Sequence, residues 1–314
     1  MEKDSKIYVS GHSGLVGSAL MRALQVQGYT NIITASHDEL DLIDPKAVDE
    51  FFSKNQPEYV FHVAARVGGI IGNKTYPADF MYDNTMINTN VIYCAHKYKV
   101  TKLLNFGSIC IYPVAAEIPV REDSLLTGPL EYTNEGYALS KINSLMFAKK
   151  YKEQYGDNFI NVMPANIYGI NDNFHNQNAH VIPMLLRRFI ETKERGDKEV
   201  VVWGTGKPTR DFIFSDDVAD ALVFLMNTYN DLEHINIGPG EETSIEQLAN
   251  MIKGIVGYEG ELKFDTTKPD GTPRRYLDVS KVNGLGWKTK TPLKEGLELV
   301  YNWFIQNRDK IREV

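Results

Sequence analysis

The chain has 314 residues, of which 43% are hydrophobic and 24% charged, so it is long enough for one large domain or two fused ones and reads as globular. Its formal net charge is −7, from 34 basic and 41 acidic residues, which argues against a general affinity for nucleic acid or an anionic membrane. Two cysteines, Cys94 and Cys110, make no disulfide framework and point to a reducing compartment. The charged start and the lack of any apolar run near the roughly 20 residues of a membrane span predict a cytoplasmic protein without a signal peptide.

Residues 7–10 read as a strand and residues 15–27 as a helix with an apolar stripe. Residues 31–35 form the next predicted strand. A helix over 45–53 follows, with Asp44 as its N-cap and Pro45 in its first turn. The pattern continues with a strand at 59–63, a long helix at 80–98 and a strand at 102–106. A helix at 137–155 and a strand at 159–163 complete it. Alternation of this kind predicts an α/β fold, a doubly wound parallel Rossmann-type sheet covered on both faces. Beyond Pro164 the alternation loosens into helices near 181–193, 217–226, 244–256 and 293–304, with short strands between. We therefore expect a nucleotide-binding domain over 1–165, with part of 205–235 packing back onto it. A smaller α/β substrate-binding lobe is expected over 166–314.

Ligands of such sheets lie beyond the carboxyl ends of the strands. The turn after the first strand is Gly11, His12, Ser13, Gly14, Leu15, Val16 and Gly17. Glycines at this spacing let the backbone turn tightly and approach a pyrophosphate, which the helix N-terminus attracts. An enzyme for NAD often ends its second strand on an acid that holds the ribose 2′-hydroxyl. None stands at 34–37, which leaves room for a 2′-phosphate beside His37 and Ser13 and favours NADPH/NADP. Asp41 and Leu42 border the adenine in this reading, and Ala64 and Ala65 fall at the third strand end.

Tyr137 and Lys141 lie four residues apart, on one face of a predicted helix. A lysine so placed is expected to favour the phenolate and lower the tyrosine pKa from about 10. Ser108 follows the fourth strand and offers a second hydrogen bond to the same substrate oxygen. If the chain stays extended there, Cys110 points the same way as Ser108. Taken singly, Cys110 reads as a small buried hydrophobe and His180 as a cap or core histidine. Arg188 reads as a solvated helix face, and Trp203 as a core anchor.

Together these residues resemble the extended short-chain dehydrogenase/reductase family. The resemblance runs through Gly11, Gly14 and Gly17, the Ala64-Ala65 block, and Cys110-Ile-Tyr-Pro113. It continues through Tyr137 and Lys141, the blocks at 163–169, 180–183 and 187–189, Val202-Trp203-Gly204, Arg210-Asp211-Phe212, and 268–274. The later blocks are similar to the branch that epimerises a GDP-4-keto sugar and then reduces it. That resemblance implies NADPH, the substrate GDP-4-dehydro-6-deoxy-D-mannose and a homodimer. It assigns Ser108, Tyr137 and Lys141 to reduction, and Cys110 and His180 to the epimerisation protons. Pro164, Ala165, Asn166 and Ile167, with Lys141 and His180, would border the coenzyme. Arg188, Trp203, Arg210 and Asp270 would bind the GDP-sugar. Ser13 and His37 stand where arginines are frequent, and Gly136 where proline is. Two other readings remain at this point: another nucleotide-sugar epimerase or dehydratase, and a non-catalytic nucleotide sensor.

Overall fold

A computed structural model describes residues 1–175, 179–268 and 270–311, with only the backbone of Ile70 and Ile71. The first half runs β1 (Ile7–Ser10), α1 (Leu15–Val26), β2 (Ile32–Ile33), α2 (Pro45–Asn55), β3 (Tyr59–His62), α3 (Ile70–Thr75), α4 (Pro77–Lys97), β4 (Lys102–Phe106), α5 (Glu135–Tyr155) and β5 (Phe159–Pro164). The second runs β6 (Asn166–Tyr168), α6 (Val181–Arg195), β7 (Glu199–Trp203), β8 (Thr209–Arg210), β9 (Phe212–Phe214), α7 (Ser215–Thr228) and β10 (Ile235–Ile237). It closes with β11 (Thr243–Ser244), α8 (Ile245–Val256), β12 (Glu261–Asp265), β13 (Arg274–Arg275), α9 (Ser280–Gly284) and α10 (Leu293–Gln306).

Six strands form one parallel sheet in the order β2-β1-β3-β4-β5-β10. Every residue of β1, β4 and β5 is buried, as a sheet covered on both faces requires. The doubly wound parallel sheet expected from the alternation is present. Its order reverses at β1, so a crevice opens between the ends of β1 and β3. Asp44 caps α2 by accepting from Lys46 N at 2.8 Å, with Pro45 in the first turn. The second strand is shorter than expected. Glu39 accepts from both the amide and the hydroxyl of Ser36 at 2.8 Å, and this turn ends β2 at Ile33.

One apolar core includes Val9, Leu20, Leu104, Val162 and Leu222, and joins the sheet to α1 and α7. A second, on the opposite face, includes Tyr8, Phe52, Val60, Leu103 and Phe159. A third gathers Leu186, Phe189, Val200, Phe214, Leu248 and Phe304 from α6, β7, β9, α8 and α10. Between these groups the chain crosses back: β10 pairs with β5, and Lys102 of β4 donates to Leu225, Met226 and Tyr229 carbonyls at the end of α7. No helix among the described residues is long and apolar enough to cross a membrane.

A polar row crosses this otherwise apolar sheet. Ser10 pairs in register with His62, His62 with Asn105, and Asn105 with Asn161. All four are buried, and they face side chains from α4 and α5.

Candidate active site

The glycine turn forms a cradle at the switch point. Gly11 has φ +78°, and a Cβ there would lie 2.8 Å from Ala64 Cα. A Cβ on Gly17 would lie 2.0 Å from the Gly11 carbonyl oxygen. Only glycine therefore lets the turn press against the start of α1 and the end of β3. Gly14 is the N-cap of α1 without a side-chain bond, and the first turn of that helix carries no acid. The leading amides at Leu15, Val16 and Gly17 thus meet no carboxylate in that turn that would repel an anion. A dinucleotide pyrophosphate fits this arrangement.

Around the cradle, Asn171 donates to the Ser13 carbonyl at 2.9 Å, tying the turn to the segment after β6. Ser13 and His37 are exposed, as contacts to a 2′-phosphate must be. Asn90 of α4 donates to the carbonyls of Leu42 and Ile43 at 2.9 and 3.0 Å, and Asp41 accepts from Ile43 N at 2.9 Å. On the other side, Ala165 N donates to Ile237 O at 2.8 Å and Asn166 N to Asp211 O at 3.2 Å. These bonds place Pro164 at the last position of β5 and Ala165, Asn166 and Ile167 just past it, where the sheet ends.

The catalytic candidates converge past β4. Ser108 interacts with the Tyr137 hydroxyl, and Cys110 lies close enough to influence it. Lys141, one turn along α5, is only 2% exposed and donates to the Phe106 carbonyl at 2.9 Å. Two expectations are corrected. The chain does not stay extended after Ser108: Ile109–Ile111 form a 3-10 turn, and the Ser108 hydroxyl caps it by accepting from Cys110 N at 3.2 Å. The Tyr137 pKa is raised, not lowered. Burial dominates and the nearby Cys110 adds to it, while Lys141 sits 5.9 Å from the ring centre and spends a proton on Phe106. Burial also lowers Lys141, to about 8.

Beneath this group lies a network that sequence patterns do not reveal. His62 meets Ser10 Oγ at 2.8 Å through Nδ1 and Asn88 Oδ1 at 2.9 Å through Nε2. Asn88 in turn donates to the Ser140 carbonyl, and Ser140 Oγ donates to Tyr137 O at 2.7 Å. Burial, with Lys141 nearby, pushes the His62 pKa down to about 3, so the ring is neutral. The network's trace in the sequence is a polar residue set among apolar neighbours in β1, β3, β4 and β5, namely Ser10, His62, Asn105 and Asn161.

His180 is the N-cap residue of α6 and is exposed. Neighbouring groups still desolvate it enough to lower its pKa. Among the described residues, no hydrogen bond joins it to Cys110 or Tyr137. Of the substrate candidates, Asp270 and Arg210 meet at the segment 270–274 and the loop after Trp203, while Arg188 lies on α6 against β7. Asp270 accepts from Thr205 N at 2.8 Å and Thr205 Oγ1 at 2.7 Å, fixing the loop after Trp203. Trp203 is 59% exposed, with the Lys268 ammonium 5.7 Å from its ring. Arg210 donates to Thr272 O at 2.7 Å and lies near Cys110. Arg188 donates to Val201 O of β7 at 2.7 Å.

A parallel sheet with a dinucleotide cradle at its switch point and a Ser-Tyr-Lys group past β4 defines a nicotinamide-dependent enzyme of the short-chain type. Residues 7–238 match the family described as the NAD dependent epimerase/dehydratase family, and the chain belongs to it. It is 52% identical to GDP-L-fucose synthase 1 of Arabidopsis thaliana, over 98% of this chain and 95% of that one. It is 46% identical to the GDP-L-fucose synthase of Escherichia coli (strain K12), over 98% of each. A GDP-L-fucose synthetase from Naegleria fowleri, solved with NADP bound, superposes with a TM-score of 0.92 at 30% identity, covering 100% of this chain and 98% of that one.

Proposed function

We propose that this enzyme converts GDP-4-dehydro-6-deoxy-D-mannose to GDP-L-fucose, by epimerisation at C3 and C5 and NADPH-dependent reduction at C4. The observation that carries the reading is the placement of Cys110 beside Ser108 and Tyr137. A reductase alone has no need of a thiol there.

The hydrogens at C3 and C5 flank the C4 ketone, so removing either produces an enolate. Ser108 and Tyr137 donate to its oxygen, and such preorganised donors are worth several kcal/mol. The high Tyr137 pKa suits this role, because the phenol keeps its proton until an oxyanion draws it. Cys110, as thiolate, takes the carbon-bound proton; the C–H electron pair becomes a double bond to C4, and the carbonyl π pair moves to the ketone oxygen. His180 gives a proton to the opposite face, which restores the ketone with inverted configuration. Each such proton transfer is typically worth about 10² to 10⁴ in rate. Thiol and imidazole then return to their starting states by exchange with solvent. NADPH, when bound, supplies the hydride to C4. Tyr137 protonates the resulting oxygen, and the Lys141 ammonium stabilises the phenolate that remains.

Residues 1–165 hold the coenzyme in this reading, and 166–314 carry the substrate lobe. Arg188 and Arg210 face the diphosphate, since guanidinium forks match phosphate oxygens. Trp203 packs on the nucleotide sugar, and Asp270 fixes the loop beside it. The working form is a cytoplasmic homodimer in which α4 and α5 pair as a four-helix bundle. Exposed Met81, Tyr82, Tyr93, Leu139 and Tyr155 on these helices support it.

The decisive experiment incubates the enzyme with GDP-4-dehydro-6-deoxy-D-mannose and NADPH in D₂O and identifies the product. The expected product is GDP-L-fucose with deuterium at C3 and C5. A C4-reduced sugar without deuterium at those carbons would assign a plain reductase instead.

A further inference from the structure

We infer that Asn134 is a positioning residue for the epimerisation base, its side-chain amide holding Cys110 by the sulfur. This rests on the base role proposed for Cys110 and extends it.

Asn134 occupies the N-cap of α5, the helix that carries Tyr137 and Lys141. An asparagine there ordinarily accepts from the first helical amides. Asn134 makes no such bond. Its Nδ2 instead donates to Cys110 Sγ at 3.3 Å. Its Oδ1 is buried without a partner among the described residues. The side chain thus forgoes the local bond that would stabilise the helix and leaves a buried acceptor unmatched, a destabilising arrangement. Contact with the sulfur is what that arrangement achieves.

The turn bearing Asn134 is anchored from the substrate side. Glu131 caps the 3-10 turn Tyr132–Asn134 through Thr133 N, and its other carboxylate oxygen accepts from Thr272 Oγ1 at 3.4 Å. Thr272 is the residue whose carbonyl holds Arg210. The backbone around Cys110 is fixed as well. Ser108 Oγ accepts from Cys110 N at 3.2 Å, and buried Arg275 donates to Tyr112 O at 2.6 Å and Pro113 O at 3.3 Å. Only the thiol rotation remains, and Asn134 restricts it.

A carboxamide is the right group for this position. Its N–H favours a thiolate over a thiol, because an anionic acceptor makes the stronger hydrogen bond. It has no proton to exchange near neutrality, so it does not compete with Cys110 for the proton taken from carbon. Among the described residues, the charged and titratable groups electrostatically linked to the sulfur are Arg210 and Tyr137, the latter held neutral by burial.

The test compares wild type with Asn134→Ala and Asn134→Asp, and uses iodoacetamide as the thiol probe. Cys94 is 2% exposed, so alkylation mapped by mass spectrometry reads Cys110. In Asn134→Ala the midpoint of Cys110 alkylation should move up by about half a pH unit to one unit. In Asn134→Asp, with a carboxylate beside the sulfur, it should move further. Deuterium incorporation at C3 and C5 should fall about tenfold or more in both. Reduction of the already epimerised 4-keto sugar should stay within about twofold of wild type, because it bypasses the thiol. An unchanged alkylation midpoint in both variants would overturn the inference, as would equal losses of exchange and reduction, which would mean only that α5 had been disturbed. Cys110→Ser is run alongside. Undiminished exchange in that variant would refute the role of Cys110 itself, whereas lost exchange there with an unmoved midpoint in the Asn134 variants would refute Asn134 alone.

Discussion

The Lys141 ammonium lies 2.9 Å from the carbonyl oxygen of Phe106. This bond ties the helix that carries Tyr137 to the end of the strand that leads into Ser108, so one interaction sets the spacing of the whole catalytic group. Lys141 is almost fully buried, and burial lowers its pKa to about 8. The charge proposed to support a Tyr137 phenolate is therefore lost above that pH. We expect kcat/KM for reduction to decline above about pH 8, where a lysine with an ordinary pKa near 10.4 would hold the rate two units further. Lys141→Met should lower the rate by roughly 10² or more. Steady-state kinetics between pH 6 and 10 check both, and a flat profile to pH 10 would refute the first.

Gly17 tests the cradle. A Cβ there meets the Gly11 carbonyl at 2.0 Å, which is backbone and cannot swing aside. Gly17→Ala should weaken NADPH binding at least tenfold and destabilise the fold by about 1–3 kcal/mol. Calorimetric titration and urea unfolding read the two effects separately. Unchanged affinity would place the coenzyme elsewhere.

His62 makes a signed prediction for stability against pH. Its folded pKa is pushed from 6.5 down to about 3, so between these values the unfolded state binds a proton that the folded state refuses. Stability therefore rises with pH across that window and is lost as pH falls from 6.5 towards 3. The loss at the acid end is on the order of a few kcal/mol. In His62→Asn the slope between pH 6.5 and 4 should be shallower, as measured by urea midpoints. The same variant should slow the reaction, since Asn88 and Ser140 would lose the anchor beneath Tyr137.

Lys102 is a buried cation that pairs with no acid among the described residues. Its ammonium donates to Leu225 O, Met226 O and Tyr229 O at 3.2, 2.6 and 2.6 Å, satisfying carbonyls that the end of α7 leaves over. Lys102→Met would strand all three, and we expect a loss of about 2–4 kcal/mol in guanidinium unfolding, with coenzyme affinity unchanged in the folded fraction. A neutral effect on stability would mean that water replaces the ammonium.

Much of this was legible in the linear order of residues. The strands at residues 59 and 102, the cap at Asp44 and the helices near 181 and 293 follow from local periodicity and turn chemistry, which act over a few residues. The glycine turn was legible too, because close backbone approach leaves a residue type as its trace. Its consequences, Gly11 against Ala64 and Gly17 against Gly11, were not.

Sequence alone determined the alternating elements and the cradle, and it singled out the residues proposed to carry the chemistry: Ser108, Cys110, Tyr137, Lys141 and His180. The tertiary structure decided the surroundings in which they sit. Local spacing argued for a lowered Tyr137 pKa, yet burial, a property of the whole packed domain, raised it. The row from Ser10 to Asn161 exists only because four strands align in register. Asn134 meets Cys110 only because α5 starts beside the turn after β4. Side-chain identity is written along the chain, whereas desolvation and contact between distant residues arise only when the chain closes on itself.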